Sequence, residues 1–376
     1  MQKGNILRIA YITASLVGGG GPLPIPAVTR VLRNAGAHVE VFALTRRDGR
    51  ALPAILADGL QVHIREGGDY DHVNAYLWLD QKIAEFKPTL IWTSVARASI
   101  IGLLLGRKYN VPVVCWQHNA TLKFSRLLLF YLLRKRPAMW IGDSEKVSEI
   151  TAKRFNVPEE KMATWSLFSV NPNAPQAKPW SKSEVLRLGS LGRLHPQKAY
   201  DILIDALALL RERGFIAPVP FEILIAGDGG DRESILRKAK RAGVENQIKL
   251  IGFADKPEEF LANLHVYLQP SRVEGFCIAL HEAMQAGLPV IATSVGQIPY
   301  TVEAGCSGWL VPPCDVTALA DALAEALSHP EKLAEMGQAA KARVYPRYSE
   351  DAFRHDGERI LERLRKRGLI QQNGYK

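Results

Sequence analysis

The sequence predicts an α/β protein made of two doubly wound, Rossmann-like domains, and three observations indicate this fold. The chain has 376 residues, which is long for one hydrophobic core and sufficient for two. Short apolar, β-branched runs alternate with stretches of helical period, as in βα units on a parallel sheet. The alternation lapses once, over 168–184, where three prolines and little apolar content predict a linker.

The first half contains six predicted strands and five predicted helices. The strands are 8–15, 38–45, 60–66, 89–95, 111–118 and 139–144. The helices are 23–35, 72–86, 97–109, 122–136 and 145–155. Helices lie between most of the strands, which is the order expected of a parallel sheet.

A second series of the same kind follows the predicted linker. Its strands are 185–194, 221–228, 248–253, 265–270, 289–295 and 309–312, and its helices are 199–213, 232–242, 276–286 and 316–327. The tail, 331–367, is predicted to be helical. We expect two sheets facing across a cleft at the carboxyl ends of their strands, where such folds bind ligands.

These patterns give the domain boundaries. We expect an N-terminal domain over 1–168, a linker over 169–184 and a C-terminal domain over 185–346. A last helix within 347–376 is expected to pack back toward the N-terminal domain.

The composition is that of a soluble globular protein, with 47% hydrophobic and 23% charged residues. No apolar run reaches the roughly 18 residues that a membrane-spanning helix needs. We interpret residues 1–17 as a buried first strand rather than a signal peptide, because the apolar segment ends in a glycine loop. Four cysteines without a CxxC pair predict a reduced, cytoplasmic protein without a zinc site.

Positive charge is concentrated in the first half of the chain. Residues 1–175 hold 22 Lys and Arg against 13 Asp and Glu, a net charge of +9, whereas residues 176–376 hold 26 against 25. We infer that the first half meets something anionic. Nucleic acid, a membrane surface and a phosphorylated acceptor would all satisfy this charge.

Four consecutive glycines, at 18–21, follow the first predicted strand. Backbone without side chains can approach a ligand closely and offer N–H groups to an anion, which makes Gly18 and Gly19 candidate binding residues. The run does not match GxGxxG, so it does not indicate a dinucleotide site. The alternative is a flexible turn between strand and helix.

Two cations stand five residues apart in the segment that begins at Gly192. Arg193 and Lys198 lie on a loop that enters a helix, so both side chains can reach one pyrophosphate. Fixed cations there would neutralise the charge of a departing diphosphate. The alternative is two solvated surface cations.

Glu274 and Glu282 are separated by seven residues around a predicted strand-to-helix turn. Eight positions of helix span about 12 Å, so the two carboxylates cannot flank one bond as a glycosidase pair does. They could contact different parts of one extended ligand, with Glu282 on ribose hydroxyls and Glu274 on a sugar. Glu282 could instead be an ordinary helix-surface residue, although its apolar flanks predict burial.

Together these segments resemble the retaining glycosyltransferases of family 4, also called group 1, which have the GT-B fold. The resemblance covers most of the chain and is strongest over 188–313. The matching pieces are the Gly192–Lys198 loop, 226–229, the Glu274-x7-Glu282 element, 287–292, 311–313 and Tyr348-Ser349.

The resemblance implies a role for each site residue. Arg193 and Lys198 would bind the donor phosphates, Glu282 the ribose and Glu274 the transferred sugar. His118, which follows a predicted strand, would face the donor sugar, although such a histidine could also be a packed or capping residue. The remaining implied nucleotide contacts are Gly18, Gly19, Gly192, Gly227, Gly275, Phe276, Cys277 and Ile278.

Several positions depart from the family pattern. Lys198 is followed by Ala199 rather than glycine, the usual Asn-Gly near 168–170 is absent, and Gln297 and Tyr300 replace a common glycine and glutamate. These changes leave the candidate cations and the paired glutamates in place.

The predicted helix over 122–136 has seven consecutive apolar residues bracketed by cations. It is too short to span a bilayer but could lie on an anionic membrane, at the cytoplasmic face of an inner membrane. The alternative is an internal helix packed on the sheet. Nucleic acid is disfavoured because no binding motif accompanies the charge.

The expected function is therefore retaining sugar transfer from a UDP- or GDP-linked donor to a hydroxyl of a glycan or lipid-linked acceptor. By analogy, the pathway would be bacterial envelope, capsule or lipopolysaccharide synthesis. No metal or other cofactor is expected, because no DxD element ends a strand; Asp69-Tyr70-Asp71 lies in a loop of the other half. The alternatives are a non-catalytic binding subunit and a nucleotide-sugar epimerase.

Overall fold

The computed structural model of the chain describes residues 6–18, 20–118, 124–182 and 184–371, without the side chains of residues 124–126. The chain divides into two compact units. The first comprises Met1–Leu167 and Asp351–Lys376, and the second comprises Phe168–Glu350.

The first unit is built on a seven-stranded parallel sheet. Its strands are β1 (Arg8–Thr13), β2 (His38–Ala43), β3 (Gln61–Ile64), β4 (Leu90–Ser94), β5 (Val113–Gln117), β6 (Met139–Gly142) and β7 (Met162–Thr164). Its helices are α1 (Ile25–Asn34), α2 (Leu52–Ala57), α3 (His72–Phe86), α4 (Ala96–Tyr109), α5 (Phe124–Leu133) and α6 (Glu145–Phe155). The strand order is β3-β2-β1-β4-β5-β6-β7, so the direction of winding reverses between β1 and β4.

The second unit has a six-stranded parallel sheet. Its strands are β8 (Leu186–Leu191), β9 (Phe221–Ala226), β10 (Ile248–Gly252), β11 (Val266–Gln269), β12 (Val290–Thr293) and β13 (Gly308–Val311). Its helices are α7 (Tyr200–Glu212), α8 (Arg232–Ala242), α9 (Pro257–Ala262), α10 (Ile278–Gln285), α11 (Ile298–Thr301), α12 (Val316–Ser328) and α13 (Leu333–Arg347). The order β10-β9-β8-β11-β12-β13 reverses its winding between β8 and β11.

The prediction of two doubly wound α/β domains is confirmed. All twelve predicted strands and all nine helices predicted before the tail are present, because buried β-branched runs and helical periods are strong signals in these units. The sequence pattern did not indicate β7, which has only three residues at the sheet edge, or the short helices α2, α9 and α11.

Small residues let a helix pack closely over the first sheet. Gly102 and Gly106 of α4 face Thr93 and Val113, and a Cβ at either glycine would overlap these side chains. The helix α4 therefore lies directly on β4 and β5. This packing fixes the carboxyl ends of both strands, from which Ser94 and His118 extend.

The last helix, α14 (Glu350–Lys366), packs almost entirely on the first unit. The indole Nε1 of Trp165 donates to the carbonyl oxygen of Phe353 at 2.8 Å. Gly357 lies against the Trp165 ring, where a Cβ would overlap it. Arg363 donates to the carbonyl oxygen of Met162 at 2.7 Å. These contacts hold α14 against β7 and against Trp165, the residue that follows β7.

The described residues of the segment that the composition marks as a linker, 168–182 and 184, belong to the second unit. Phe168 and Val170 are buried, and the Val170 amide donates to the carbonyl oxygen of Tyr348 at 2.7 Å. The Ala177 amide donates to the carbonyl oxygen of Ala286 at 2.8 Å. The segment is thus held on the second unit by backbone hydrogen bonds.

Candidate active site

The candidate residues of the second unit lie where its sheet reverses direction. The loop that carries Gly192, Arg193 and Lys198 follows β8, and the segment that carries Glu274 follows β11. β8 and β11 are neighbours at the switch point, so both loops leave the same edge of the sheet. Ligands of doubly wound folds bind at this edge.

Glycine backbones bring the loops after β8 and β9 into contact. A Cβ at Gly227 would overlap the carbonyl oxygen of Gly192, and one at Gly229 would overlap that of Leu194. The Leu194 amide donates to the carbonyl oxygen of Asp228 at 2.9 Å. Gly227, at a φ of +149°, is therefore required by close approach, and it supports the loop that carries Arg193.

Lys198 and Glu274 form an ion pair. Lys198 Nζ lies 2.7 Å from Glu274 Oε1, and both side chains are largely buried. Burial alone would lower the pKa of Lys198, but the Glu274 carboxylate outweighs it and the pKa is raised. Lys198 therefore remains a cation at physiological pH.

Arg193 differs from Lys198 in its surroundings. Arg193 is exposed, and no carboxylate in the described ranges lies within ion-pair distance of its guanidinium. The site thus combines one neutralised, buried cation with one exposed cation on the same loop. An anion with two phosphates could engage both.

Arg272, which the sequence analysis did not single out, fastens the cationic loop. Its guanidinium donates to both carboxylate oxygens of Asp201, at 2.9 and 2.6 Å, and to the carbonyl oxygen of Pro196 at 2.5 Å. Its own amide donates to the carbonyl oxygen of Gln197 at 2.8 Å. The bidentate pair joins the segment after β11 to the start of α7, and the two carbonyl contacts join it to the loop after β8.

The helix that carries Glu282 begins later than predicted. Cys277 has a left-handed backbone, at a φ of +66°, so α10 starts at Ile278 and not at Phe276. Glu282 is the fifth residue of the helix and lies about 6 Å along it rather than two turns in. Burial, with the nearby Glu258 charge, raises the pKa of Glu282 to about 7.

Phe276 lies in an aromatic cluster. Its ring stacks on His281 at 4.0 Å between centroids and meets Tyr348 edge-on at 5.3 Å, and Phe168 lies alongside. Burial lowers the pKa of His281 to about 3, so the imidazole stays neutral. The Phe276 side chain therefore anchors the turn, while Gly275 accepts a backbone hydrogen bond from Gln297 at 2.9 Å.

His118 occupies a buried polar position at the end of β5 in the first unit. Its Nε2 lies 2.7 Å from Ser94 Oγ, and its Nδ1 lies 3.8 Å from Asp143 Oδ2, which is too far for a hydrogen bond. Burial lowers the pKa of His118 to about 3 and raises that of Asp143 to about 7. The histidine is therefore neutral, and the contact with Asp143 is not an ion pair.

The glycine segment after β1 is only partly described. The Gly18 amide donates to Asp48 Oδ1 at 3.1 Å, so a carboxylate of the protein already accepts from one of the predicted anion-binding groups. Gly19 lies outside the described residues. A Cβ at Gly18 would meet the side chain of Arg50.

Two family models match the chain. The model described as Glycosyltransferase Family 4 matches residues 27–167, and the one described as Glycosyl transferases group 1 matches residues 175–343. Together they span most of both units. The chain belongs to the family 4, group 1 glycosyltransferases.

Relatives of this glycosyltransferase include proteins of polysaccharide synthesis. It is 36% identical to the amylovoran biosynthesis glycosyltransferase AmsK of Erwinia amylovora over 48% of this chain and 45% of that one, so the match spans less than half of the relative. It is 26% identical to the D-inositol 3-phosphate glycosyltransferase of Jonesia denitrificans over 92% of both chains.

Solved structures show the fold of this glycosyltransferase. Anabaena Alr3699/HepE in complex with UDP-glucose superimposes with a TM-score of 0.82 at 20% identity, covering 94% of this chain and 99% of that one. The protein thus has the GT-B fold.

Metal-binding clusters and membrane-spanning helices were sought among the described residues of this glycosyltransferase. Within residues 6–18, 20–118, 124–182 and 184–371, no cluster of three or more His, Cys, Asp or Glu is placed to hold a metal. None of the helices in those ranges is long and apolar enough to cross a membrane.

Each unit has polar residues beside its candidate residues that sequence reasoning missed. They are Ser94 and Asp143 in the first unit, and Tyr267, Gln269, Ser271 and Arg272 in the second. Most stand at the last position of a buried strand or one to two residues beyond it. A search for polar residues at the ends of apolar strands would have found Ser94, Asp143 and Gln269.

Proposed function

We propose that this glycosyltransferase moves a sugar from a UDP- or GDP-linked donor to a hydroxyl of a glycan or lipid-linked acceptor, with retention of anomeric configuration. The observation that carries the proposal is the placement of Arg193, Lys198 and Glu274 at the switch point of the second sheet. Two cations and a carboxylate there fit a diphosphate joined to a sugar.

The chemistry assigned to these groups is a front-face displacement. The bond between the anomeric carbon and the diphosphate oxygen breaks while the acceptor hydroxyl bonds to the same face of the sugar. The hydroxyl proton passes to the departing phosphate. Arg193 and Lys198 stabilise the negative charge that builds up on the diphosphate, which is the work that a metal ion does in other transferases.

Glu282 and Glu274 are assigned to binding the donor. An ionised Glu282, about one turn into α10, can accept from two ribose hydroxyls, and Glu274 can accept from the transferred sugar. The name of one relative, which refers to amylovoran biosynthesis, supports a role in bacterial polysaccharide assembly.

The test is a thermal-shift panel of UDP, GDP and ADP and their common sugar conjugates, each with and without EDTA. We expect one base to stabilise the wild type, EDTA to have no effect, and Glu282→Ala to abolish the shift. A wild type that no nucleotide stabilises would overturn the donor-site assignment. Loss of the shift in EDTA would overturn metal independence.

Product analysis separates transfer from the alternatives. Retained configuration in a glycoside product supports the proposal. Isomerised donor without acceptor would identify an epimerase, and nucleotide binding without turnover would identify a non-catalytic subunit.

We also propose that α5 rests on an anionic membrane, where a lipid-linked acceptor would be found. Its exposed residues include Leu128, Leu129, Tyr131 and Leu132, whereas Phe130 is buried in the first unit. Basic residues 134–136 follow the helix directly. Exposed apolar side chains beside cations are the pattern of an interfacial helix.

Vesicle sedimentation tests this contact. Leu132, at 69% exposure, has a matched control in Ile216 of the second unit, at 88%. Binding to vesicles of phosphatidylglycerol and phosphatidylcholine should fall about fivefold or more in Leu132→Glu and hardly change in Ile216→Glu. Equal binding by both variants and the wild type would contradict the assignment.

A further inference from the structure

A chain of buried polar side chains leads from β11 to the carboxylate of Glu274. The Tyr267 hydroxyl lies 2.8 Å from Gln269 Oε1, and Gln269 Nε2 lies 2.7 Å from Ser271 Oγ and 2.9 Å from Glu274 Oε1. Ser271 Oγ donates to the same Glu274 oxygen at 2.6 Å. Tyr267, Gln269 and Ser271 are all buried.

The orientation of the Gln269 amide is fixed by its neighbours. Burial raises the pKa of Tyr267 well above its usual value, so the hydroxyl keeps its proton. The hydroxyl has two acceptors within reach, Gln269 Oε1 at 2.8 Å and the more distant Leu191 carbonyl oxygen at 3.2 Å. The reverse orientation of the amide would set its carbonyl oxygen against the Glu274 carboxylate, which is repulsive.

Glu274 Oε1 thus accepts three hydrogen bonds, from Lys198, Gln269 and Ser271. If a diphosphate draws Lys198 toward itself, the other two donors still hold this oxygen. A carboxylate fixed through one oxygen presents the other in a constant direction. Without those donors, Glu274 would be free to follow Lys198 or to turn away.

We propose that Gln269 is a positioning residue for sugar recognition, which keeps the Glu274 carboxylate oriented when the donor diphosphate engages Lys198. The inference rests on the proposed function, because it requires Glu274 to contact the transferred sugar. Gln269 is buried and donates to Glu274, so it is assigned to act through Glu274 rather than by contact with the donor. Replacing Gln269 should therefore weaken binding of the sugar part of the donor and leave binding of the nucleotide diphosphate part unchanged.

The experiment compares two binding constants in each variant. The dissociation constants of UDP and UDP-glucose, and in parallel of GDP and GDP-mannose, are measured by calorimetry for the wild type, Gln269→Leu and Ser271→Ala. The matched control is Gln285→Leu, because Gln285 is equally buried in the same unit but accepts from the Asn171 amide.

We expect the wild type to bind the sugar conjugate more tightly than the nucleotide alone. In Gln269→Leu this preference should fall about tenfold, with affinity for the nucleotide itself within about twofold of wild type. Ser271→Ala should shift the ratio in the same direction. Gln285→Leu should lower the melting temperature without changing the ratio.

The possible negative results distinguish an error in this inference from an error in the proposed function. An unchanged ratio in Gln269→Leu and Ser271→Ala, with wild-type nucleotide binding intact, would overturn this inference alone. An equal loss of nucleotide and conjugate binding in both would indicate a purely structural role and would also overturn it. A wild type that binds neither nucleotide would overturn the proposed function, and this inference with it.

Discussion

Lys198 Nζ lies 2.7 Å from Glu274 Oε1, so the buried cation assigned to the donor diphosphate is paired with a carboxylate of the protein itself. The two residues are 76 positions apart and meet because β8 and β11 are neighbours. A diphosphate that binds here must compete with Glu274 for this cation.

We therefore expect Glu274→Gln to bind the bare nucleotide diphosphate more tightly than the wild type does. Removing the competing charge should strengthen UDP or GDP binding about fivefold, while sugar transfer is lost. Calorimetry measures the first effect and donor turnover the second. The control is Glu303→Gln, whose carboxylate pairs with Arg343. Weaker nucleotide binding by Glu274→Gln than by the wild type would contradict the competition.

The stability of the protein should depend on the protonation of Glu282. Its pKa is raised to about 7 in the folded protein, whereas an unfolded glutamate titrates near 4.5. The folded state thus holds the proton more strongly, so the free energy of unfolding should fall as pH rises from about 4.5 to 7 and then level off.

The Glu282→Gln variant removes this dependence. We compare the free energy of unfolding of the variant with that of the wild type at each pH. This difference should favour the variant by about 2 kcal/mol more at pH 8 than at pH 4.5. Urea denaturation at the two pH values measures the difference. The same difference between variant and wild type at both pH values would show that Glu282 titrates normally.

Gly227 should not tolerate a side chain. Gly227→Ala sets a Cβ against the carbonyl oxygen of Gly192 and should destabilise the protein by about 3 kcal/mol, with loss of nucleotide binding. Gly230 is the matched control, since a Cβ there meets nothing within 4 Å. Thermal denaturation should place Gly230→Ala near the wild type. A Gly227→Ala protein of wild-type stability would show that the loop adjusts freely.

How far the sequence reveals this protein can be judged from particular residues. The strands were predictable because short runs such as that of β12, Val290–Thr293, are wholly buried and rich in β-branched side chains. β7 was not, because three residues carry no period. The start of α10 was misplaced because a cysteine with a left-handed backbone leaves no mark in a helical pattern.

The candidate site divides in the same way. Arg193, Lys198, Glu274 and Glu282 stand out through charge at fixed spacing. Gln269 does not, because a single polar residue at the end of a strand has meaning only when the neighbouring strand is known. The Lys198–Glu274 pair likewise depends on strand order, which spacing alone does not give.

His118 should remain neutral throughout the physiological range. Burial holds its pKa near 3, so its ring nitrogens should show no protonation between pH 5 and 8 in NMR spectra of the labelled protein. The spectrum of His118→Gln assigns the resonance. A titration midpoint near 6.5 would show that water reaches the ring and that burial does not keep the His118 imidazole neutral.

The central claim is that Arg193 and Lys198 serve a departing nucleotide diphosphate, and turnover of Arg193→Ala tests it most directly. Sugar transfer from whichever UDP- or GDP-linked donor stabilises the wild type is compared in wild type, Arg193→Ala and the control Arg213→Ala, whose side chain pairs with Asp321. We predict a loss of at least about 100-fold for Arg193→Ala with an unchanged melting temperature, and a normal rate for Arg213→Ala. A rate for Arg193→Ala close to that of the wild type would contradict the account.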